Sequence, residues 1–358
     1  MKILDKYLIK RFLVTYGFVT LMIVSVILVI DFVEKNDDFI QNKAPWKAIL
    51  FSYYVNLAPY WANYVSPLMI FISTVFFTSR MASHTEIIAI LCSGVSYLRL
   101  MRPYFIGALA VGIFTFGLIG WVIPKANKVR LAFEDVYVKP RETFAQRDIH
   151  MGVAPNVYIY MSSFNTENKI GYEVTLEKIV NNRLLEKLSA ERIEWSDTLK
   201  KWSFKNYLVR KLGVVNDEVK TGSSLDSLLN MTPQDFQNDN SQFETFTIPE
   251  LKNRIDLLKS RGSEGIETYQ IEWYQRYANP FAVVILSLIG LIISSRKARG
   301  GIGVQIAIGF LLAFTYMMLF ILTKGIAQSG EMLPIVAVWL PNMIFTVVGV
   351  VLYFFVPK

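Results

Sequence analysis

Glu86 is the carboxylate in this chain best placed to do chemistry. It heads the stretch Glu86-Ile-Ile-Ala-Ile-Leu-Cys-Ser-Gly94, three residues after Ser83 and between the basic residues Arg80 and Arg102. A serine followed three residues later by a glutamate is a capping box, so a helix is expected over about 84–95. Ile87, Ile90 and Leu91 recur at helical spacing along it, and Gly94 is placed to end it. Such a helix is too short to cross a bilayer. It fits either an interfacial connector whose Glu86 is an exposed cap carboxylate, or a docking surface whose carboxylate pairs with a base on a partner.

A second set of charges flanks the apolar parts of the chain: Lys35, Lys43, Lys47, Lys125, Lys128 and Arg130. Cations in such places either snorkel into solvent or hold anionic groups such as phosphates. Other chemistry has little support. The single cysteine, Cys92, cannot form an internal disulfide framework. The only two histidines, His84 and His150, are separated by an apolar run. Phosphate-loop, nucleophile-elbow and zinc-protease patterns are missing, and no Gly-Lys dipeptide occurs. No cofactor is therefore expected on this chain, and no ATP site of its own.

The elements that must position these residues are written as six runs free of Asp, Glu, Lys and Arg: Phe12–Ile30, Ala48–Ser79, Pro103–Pro124, Tyr277–Ser295, Gly300–Thr323 and Leu333–Pro357. Each matches or approaches the roughly 20 residues a bilayer crossing needs. The composition agrees, with 53% hydrophobic residues and a mean hydropathy of +0.36. The first run is too long for a signal h-region and is read as a retained helix. The second is longer than one crossing requires. Residues 48–59 are expected to project or lie along the surface, with a break near Pro59 and an aromatic belt at Tyr60, Trp61 and Tyr64.

Lys and Arg in short flanks set the orientation. Lys2, Lys6, Lys10, Arg11, Arg80, Arg99, Arg102, Arg296, Lys297, Arg299 and Lys358 fall on one side, which is expected to be cytoplasmic. Both termini are then inside, and the polar block between the third and fourth runs is outside. The net charge of +8 reflects topology and needs no nucleic acid.

That polar block reads as mostly strand, with Asn156–Phe164, Tyr172–Val180, Leu184–Trp195 and Trp202–Leu212 separated by turn signals such as Asn181-Asn182. Alternation is plain in Val157-Tyr-Ile-Tyr-Met161, so one apolar face is expected to pack on a second sheet as a sandwich or jelly roll. Near its end Thr247 and Glu250 can cap a helix over about 248–261. Leu251, Ile255 and Leu258 form its stripe and Gly262 its stop. The organisation is thus 1–124 with three spans and the short helix, 125–272 with the β domain, and 273–358 with three spans. The fold class is an α-helical membrane protein of six transmembrane helices with an inserted periplasmic β-sandwich or jelly-roll domain.

With these residues in place, Phe76–Ser96 resembles the signature of the lipopolysaccharide export permeases, the LptF/LptG family: a Ser/Thr-Glu, several apolar residues, then Ser/Cys-Gly. The order of three spans, β-rich insert and three spans is similar over nearly the whole chain. So are Ile248-Pro-Glu-Leu-Lys through Trp273, and the basic, glycine-rich stretch Arg296–Gly303. The resemblance implies an ABC-transporter permease subunit, LptG-like in preference to LptF-like, in the bacterial inner membrane. Its expected partners are a dimer of LptB-like ATP-binding subunits that use ATP and Mg, a second LptF-like permease, a single-span LptC-like protein and a periplasmic LptA-like bridge. Its expected substrate is lipopolysaccharide. Glu86, Ile87, Ile90, Leu91 and Gly94 would form the coupling helix that meets the ATPase. The six cations above would line the outer rim near lipid phosphates, Lys125, Lys128 and Arg130 just outside the third span. One departure is that Asp31, Glu34, Asp37 and Asp38 surround Lys35 where family members often carry lysines. Other readings are a mechanotransmission permease acting on lipoproteins or periplasmic machinery, and a membrane scaffold without transport.

Overall fold

The computed structural model describes residues 3–138, 144–166, 168–213, 216–236, 242–262, 265–295 and 301–355. The chain divides into two compact units. One comprises Met1–Val138, Glu244–Ile248 and Glu267–Lys358, and the other Lys139–Phe243 and Pro249–Ile266.

The first unit opens with α1 (Ile3–Gln41), a single helix that runs well past its apolar run. Asp31 and Lys35, paired at i,i+4 and 2.9 Å apart, help hold its polar extension helical. Next comes α2 (Trp46–Tyr64), with a π-helical stretch at Ile49–Tyr54, and then α3 (Ser66–Ser83), bent from it by 63°. A break in this run was expected near Pro59. It lies instead at Val65, because Pro59 is accommodated inside α2 while Pro67 sits in the first turn of α3. A proline there needs no intrahelical donor and restricts the residue before it, which favours a restart. The short helix α4 (Glu86–Cys92) follows, then α5 (Tyr97–Tyr137), which also continues beyond its apolar run through a π-helical stretch at Leu118–Val122.

The second unit is built on six antiparallel strands in one sheet of order β1-β2-β3-β4-β5-β6. They are β1 (Phe144–Ala154), β2 (Val157–Asn165), β3 (Ile170–Val180), β4 (Arg183–Ser196), β5 (Lys201–Lys211) and β6 (Glu218–Ser227). Asn181 and Asn182 both take positive φ, which closes the β3–β4 hairpin with a twist that matches the strands. The register opposes Val174 to Ala190 and Trp195 to Trp202. A second sheet was expected over the apolar face, but the described strands form one sheet only. That face is covered instead by the segment after β6. Met231 and Phe236 are buried against Ile159, Met161, Phe164, Trp202 and Phe204, and the indole of Trp202 donates to the Met231 carbonyl at 2.9 Å. Helix α6 (Ile248–Arg261) buries Leu251, Ile255 and Leu258 and stops at Gly262, φ 66°. Its Arg254 and Arg261 meet Asp235 at 2.5 and 3.3 Å.

The chain completes the first unit with α7 (Ile266–Ser294), α8 (Gly301–Gln328) and α9 (Pro334–Phe354). Among the described residues five helices (α1, α5, α7, α8 and α9) are long and apolar enough to cross a membrane, and six crossings result if the bent pair α2–α3 counts as one span. In lipid, helices associate through close packing and polar contacts more than through the hydrophobic effect. Gly112 lets α5 approach α7: a Cβ there would lie 3.2 Å from the Pro280 carbonyl oxygen. Gly290 does the same between α7 and α3, beside Phe71 and Thr74. Tyr316 donates to Asn342, whose amide donates to the Ala278 carbonyl, joining α8, α9 and α7.

Candidate functional site

Two regions of the helical unit gather the residues with chemistry. The first is α4. The predicted capping box does not form: Ser83 belongs to α3, and its hydroxyl donates back to the Arg80 carbonyl at 2.8 Å. Thr85, in the left-handed region at φ 63°, makes the sharp turn from α3 into α4. The helix is therefore shorter than expected. Its stop is as the sequence indicates, with Gly94 at φ 85° and its N–H donating to the Leu91 carbonyl.

The faces of α4 divide the expected docking residues. Ile87 is 1% exposed and packs among Leu8, Phe77, Met81 and Tyr104, with Ile90 and Leu91 against the same cluster. Ile87 anchors the helix from its inner face, and Ile90 and Leu91 flank it partly buried. Ile88, Ala89 and Cys92 are exposed, and Glu86 is partly exposed at the first turn. Sequence periodicity located the apolar stripe, but only the packing shows that the stripe points into the bundle. Just beyond α4, Arg99 pairs with the buried Asp5 at 2.8 Å and ties the start of α5 to the start of α1. This Asp5–Arg99 link has no local sequence signal, since 94 residues separate its partners.

The second region lies at the polar extensions of α1 and α5. Here the expected rim cations separate into two kinds. Lys35 contacts Asp31 at 2.9 Å and Glu134 at 3.7 Å, with the Tyr53 hydroxyl also in contact. Arg130 contacts Glu134 at 3.0 Å and Glu244 at 3.2 Å, and its guanidinium lies over the Tyr60 ring. Asn127 and Tyr60 add bonds to Glu244. Lys35 and Arg130 are thus neutralised inside a network with Asp31, Glu134 and Glu244. The reason is that both helices continue past their apolar runs, which brings successive turns of α1 and α5 face to face. Burial holds the Glu244 carboxyl above the ordinary glutamate range, against the lowering pull of Arg130. Arg276 completes the group, donating to the Phe246 carbonyl at 2.6 Å and to Glu272 at 3.1 Å.

Lys43, Lys47, Lys125 and Lys128 are exposed. Lys43 borders an apolar groove of about 580 Å³ whose walls include Phe32, Phe39, Trp46, Leu50 and Tyr54, and Lys47 lies over the Trp46 ring. A cation beside an aromatic and aliphatic groove suits an anionic amphiphile. Among the described residues no group of three His, Cys, Asp or Glu side chains is arranged to hold a metal ion. The basic stretch at 296–300 lies outside the described residues.

Long apolar helices, an inserted β-sheet unit and a short helix packed at one end of the helical unit are the architecture of a multi-pass membrane protein. The chain belongs to the LptF/LptG family: a sequence model of the lipopolysaccharide export system permease LptF/LptG matches residues 6–354. No curated protein matches it significantly.

Proposed function

We propose that this chain is the membrane subunit of an ABC transporter that takes lipopolysaccharide from the inner membrane and passes it to a periplasmic bridge. ATP would be hydrolysed by a separate LptB-like dimer. A second permease of the same family, an LptC-like protein and an LptA-like bridge would complete the path. In this reading both termini and α4 face the cytoplasm, and the sheet unit faces the periplasm. Family membership supports the permease and its substrate class.

The observation that carries the coupling role is the build of α4. Its inner face, Ile87, is locked into the bundle while Ile88, Ala89 and Cys92 face outward behind Glu86. A helix clamped on one side and free on the other transmits a push as a rigid body. A partly exposed carboxylate at its head can pair with a cation on the ATPase. At the other end, the groove beside Lys43 offers an apolar wall and a cation to a phosphorylated, many-chained lipid.

Copurification with the ATP-binding subunit and ATP-driven lipopolysaccharide release from proteoliposomes test this reading. Glu86→Lys should lower coupled release by more than ten-fold, since one lost charge-assisted bond plus a like-charge contact exceeds about 1.4 kcal/mol. Ile88→Asp, on the exposed face, should lower it as well. Unchanged assembly and unchanged release in both variants would remove α4 from the mechanism.

A further inference from the structure

A groove of about 800 Å³ lies between α1 and α3 at the end of the bundle that carries α4. Its charged residues are Lys10, Arg11, Arg80 and Glu86, joined by His84 and Thr15, and its apolar ones include Val14, Phe76 and Phe77. Charge and apolar surface are layered. On α1, Val14 stands one turn deeper than Lys10 and Arg11. On α3, which runs the other way, Phe76 stands one turn deeper than Arg80. One turn of four residues is about 6 Å. Both helices therefore place cations at the mouth and apolar side chains at the same depth below it.

The cations are uncommitted. Among the described residues Lys10, Arg11 and Arg80 make no ion pair, whereas Lys35, Arg99, Arg130 and Arg276 each reach a carboxylate. Arg11 is held over the Tyr7 ring, 4.8 Å from its centre, which keeps its guanidinium in the groove. Against these three cations the groove has one carboxylate, Glu86. The walls are also open sideways. Val14 is 63% exposed and Phe76 42%, and only 11% of the apolar window of α1 is covered by the rest of the chain.

We propose that this groove is a binding site for an anionic glycerophospholipid. Its phosphodiester sits between Lys10, Arg11 and Arg80, and an acyl chain runs down Val14 and Phe76. Basic pockets between membrane helices bind anionic head groups in this way. A soluble phosphate or an acidic peptide would satisfy the cations but leave the apolar layer below them without an occupant. The bound lipid would brace the first turns of α1 against the α3–α4 corner. The site is separate from the groove beside Lys43 and does not depend on the transport reading.

The test uses the full chain in nanodiscs of equal phosphatidylglycerol and phosphatidylcholine, with benzoylphenylalanine in place of Phe76 as a photo-crosslinker. Adducts are identified by mass spectrometry. Phosphatidylglycerol adducts should exceed phosphatidylcholine adducts several-fold. Each neutralised cation should lower that preference by about five-fold until it is lost, so Lys10→Gln with Arg11→Gln and Arg80→Gln should label both lipids equally. Lys6→Gln, exposed on α1 outside the groove, and the charge-retaining pair Arg11→Lys with Arg80→Lys should keep the preference. Equal labelling in the unmutated groove, or a preference that survives neutralisation, overturns the site. Loss of the preference on adding inorganic phosphate would assign the cations to a soluble anion and overturn the lipid.

Discussion

Glu244 shows how one side chain fixes the place where the chain re-enters the helical unit. It receives Arg130 at 3.2 Å and the Tyr60 hydroxyl at 3.1 Å, yet burial still outweighs these bonds and raises its carboxyl above 4.5, the ordinary value. The folded protein thus holds this proton more tightly than the unfolded chain does. By linkage, the stability it contributes is fully present below about pH 4.5 and declines as pH rises through the folded-state value. Glu244→Gln cannot ionise, so its thermal midpoint relative to the unmutated protein should improve from about pH 4.5 up to the folded-state value and then level off. Midpoints measured at several pH values in one detergent check this, and a constant difference would show that Glu244 is not strained. Asp235 is the opposite case. Its side chain is 2% exposed and meets two arginines from α6, so Asp235→Ala leaves buried positive charge without a partner. Breaking such a pair costs about 3–5 kcal/mol. The variant should lose cooperative unfolding of the sheet unit in hydrogen exchange while the helices keep their protection.

At the scale of elements, the helices meet where side chains are smallest. Gly112 on α5 faces the Pro280 carbonyl of α7 with 3.2 Å left for a Cβ. Gly112→Val forces that contact apart against backbone, not against a movable side chain. Overpacking of this kind costs about 1–3 kcal/mol, so the thermal midpoint of the purified protein should fall. An unchanged midpoint would mean that α5 and α7 are not held this closely. Which elements exist was largely legible in the sequence. Charge-free runs marked the crossings, alternation marked β2 to β5, and Thr247 to Gly262 marked α6 with its stripe. The edge strands were not legible. In β6, Glu218-Val-Lys-Thr-Gly-Ser-Ser is polar and mostly exposed, and without a buried face it has no alternation to read. Helix ends were misjudged where polar residues continued a helix, because the i,i+4 pairs Asp31–Lys35 and Arg130–Glu134 stabilise turns that hydropathy alone would stop. The same blindness made Lys35 and Arg130 look like free rim cations. Their partners Glu134 and Glu244 are remote in sequence, and only the packed helices bring them within reach.

At the scale of the whole molecule, the division into two units has a consequence for folding. The second unit is drawn from 139–243 and 249–266, so apart from the short segment 244–248 it is one continuous stretch of chain. Its apolar sheet face is closed from within that stretch, by Met231 and Phe236 against Phe164, Trp202 and Phe204. Its buried carboxylate, Asp235, finds both of its arginines on α6 inside the same stretch. A unit that completes its own core and its own ion pairs satisfies the conditions for folding alone. Residues 139–266, expressed without the crossings, should therefore give a soluble fragment with a strand-rich circular dichroism spectrum and a single unfolding transition. The Trp202 indole, buried and bonded to the Met231 carbonyl, gives a second readout. Its fluorescence should be blue-shifted in the fragment and move to the red in the same transition. Trp202→Phe removes the bond and leaves only the emission of Trp195, and it should lower the midpoint. A fragment without that transition would mean that the sheet takes its order from the helices, and the two units would then be one cooperative body.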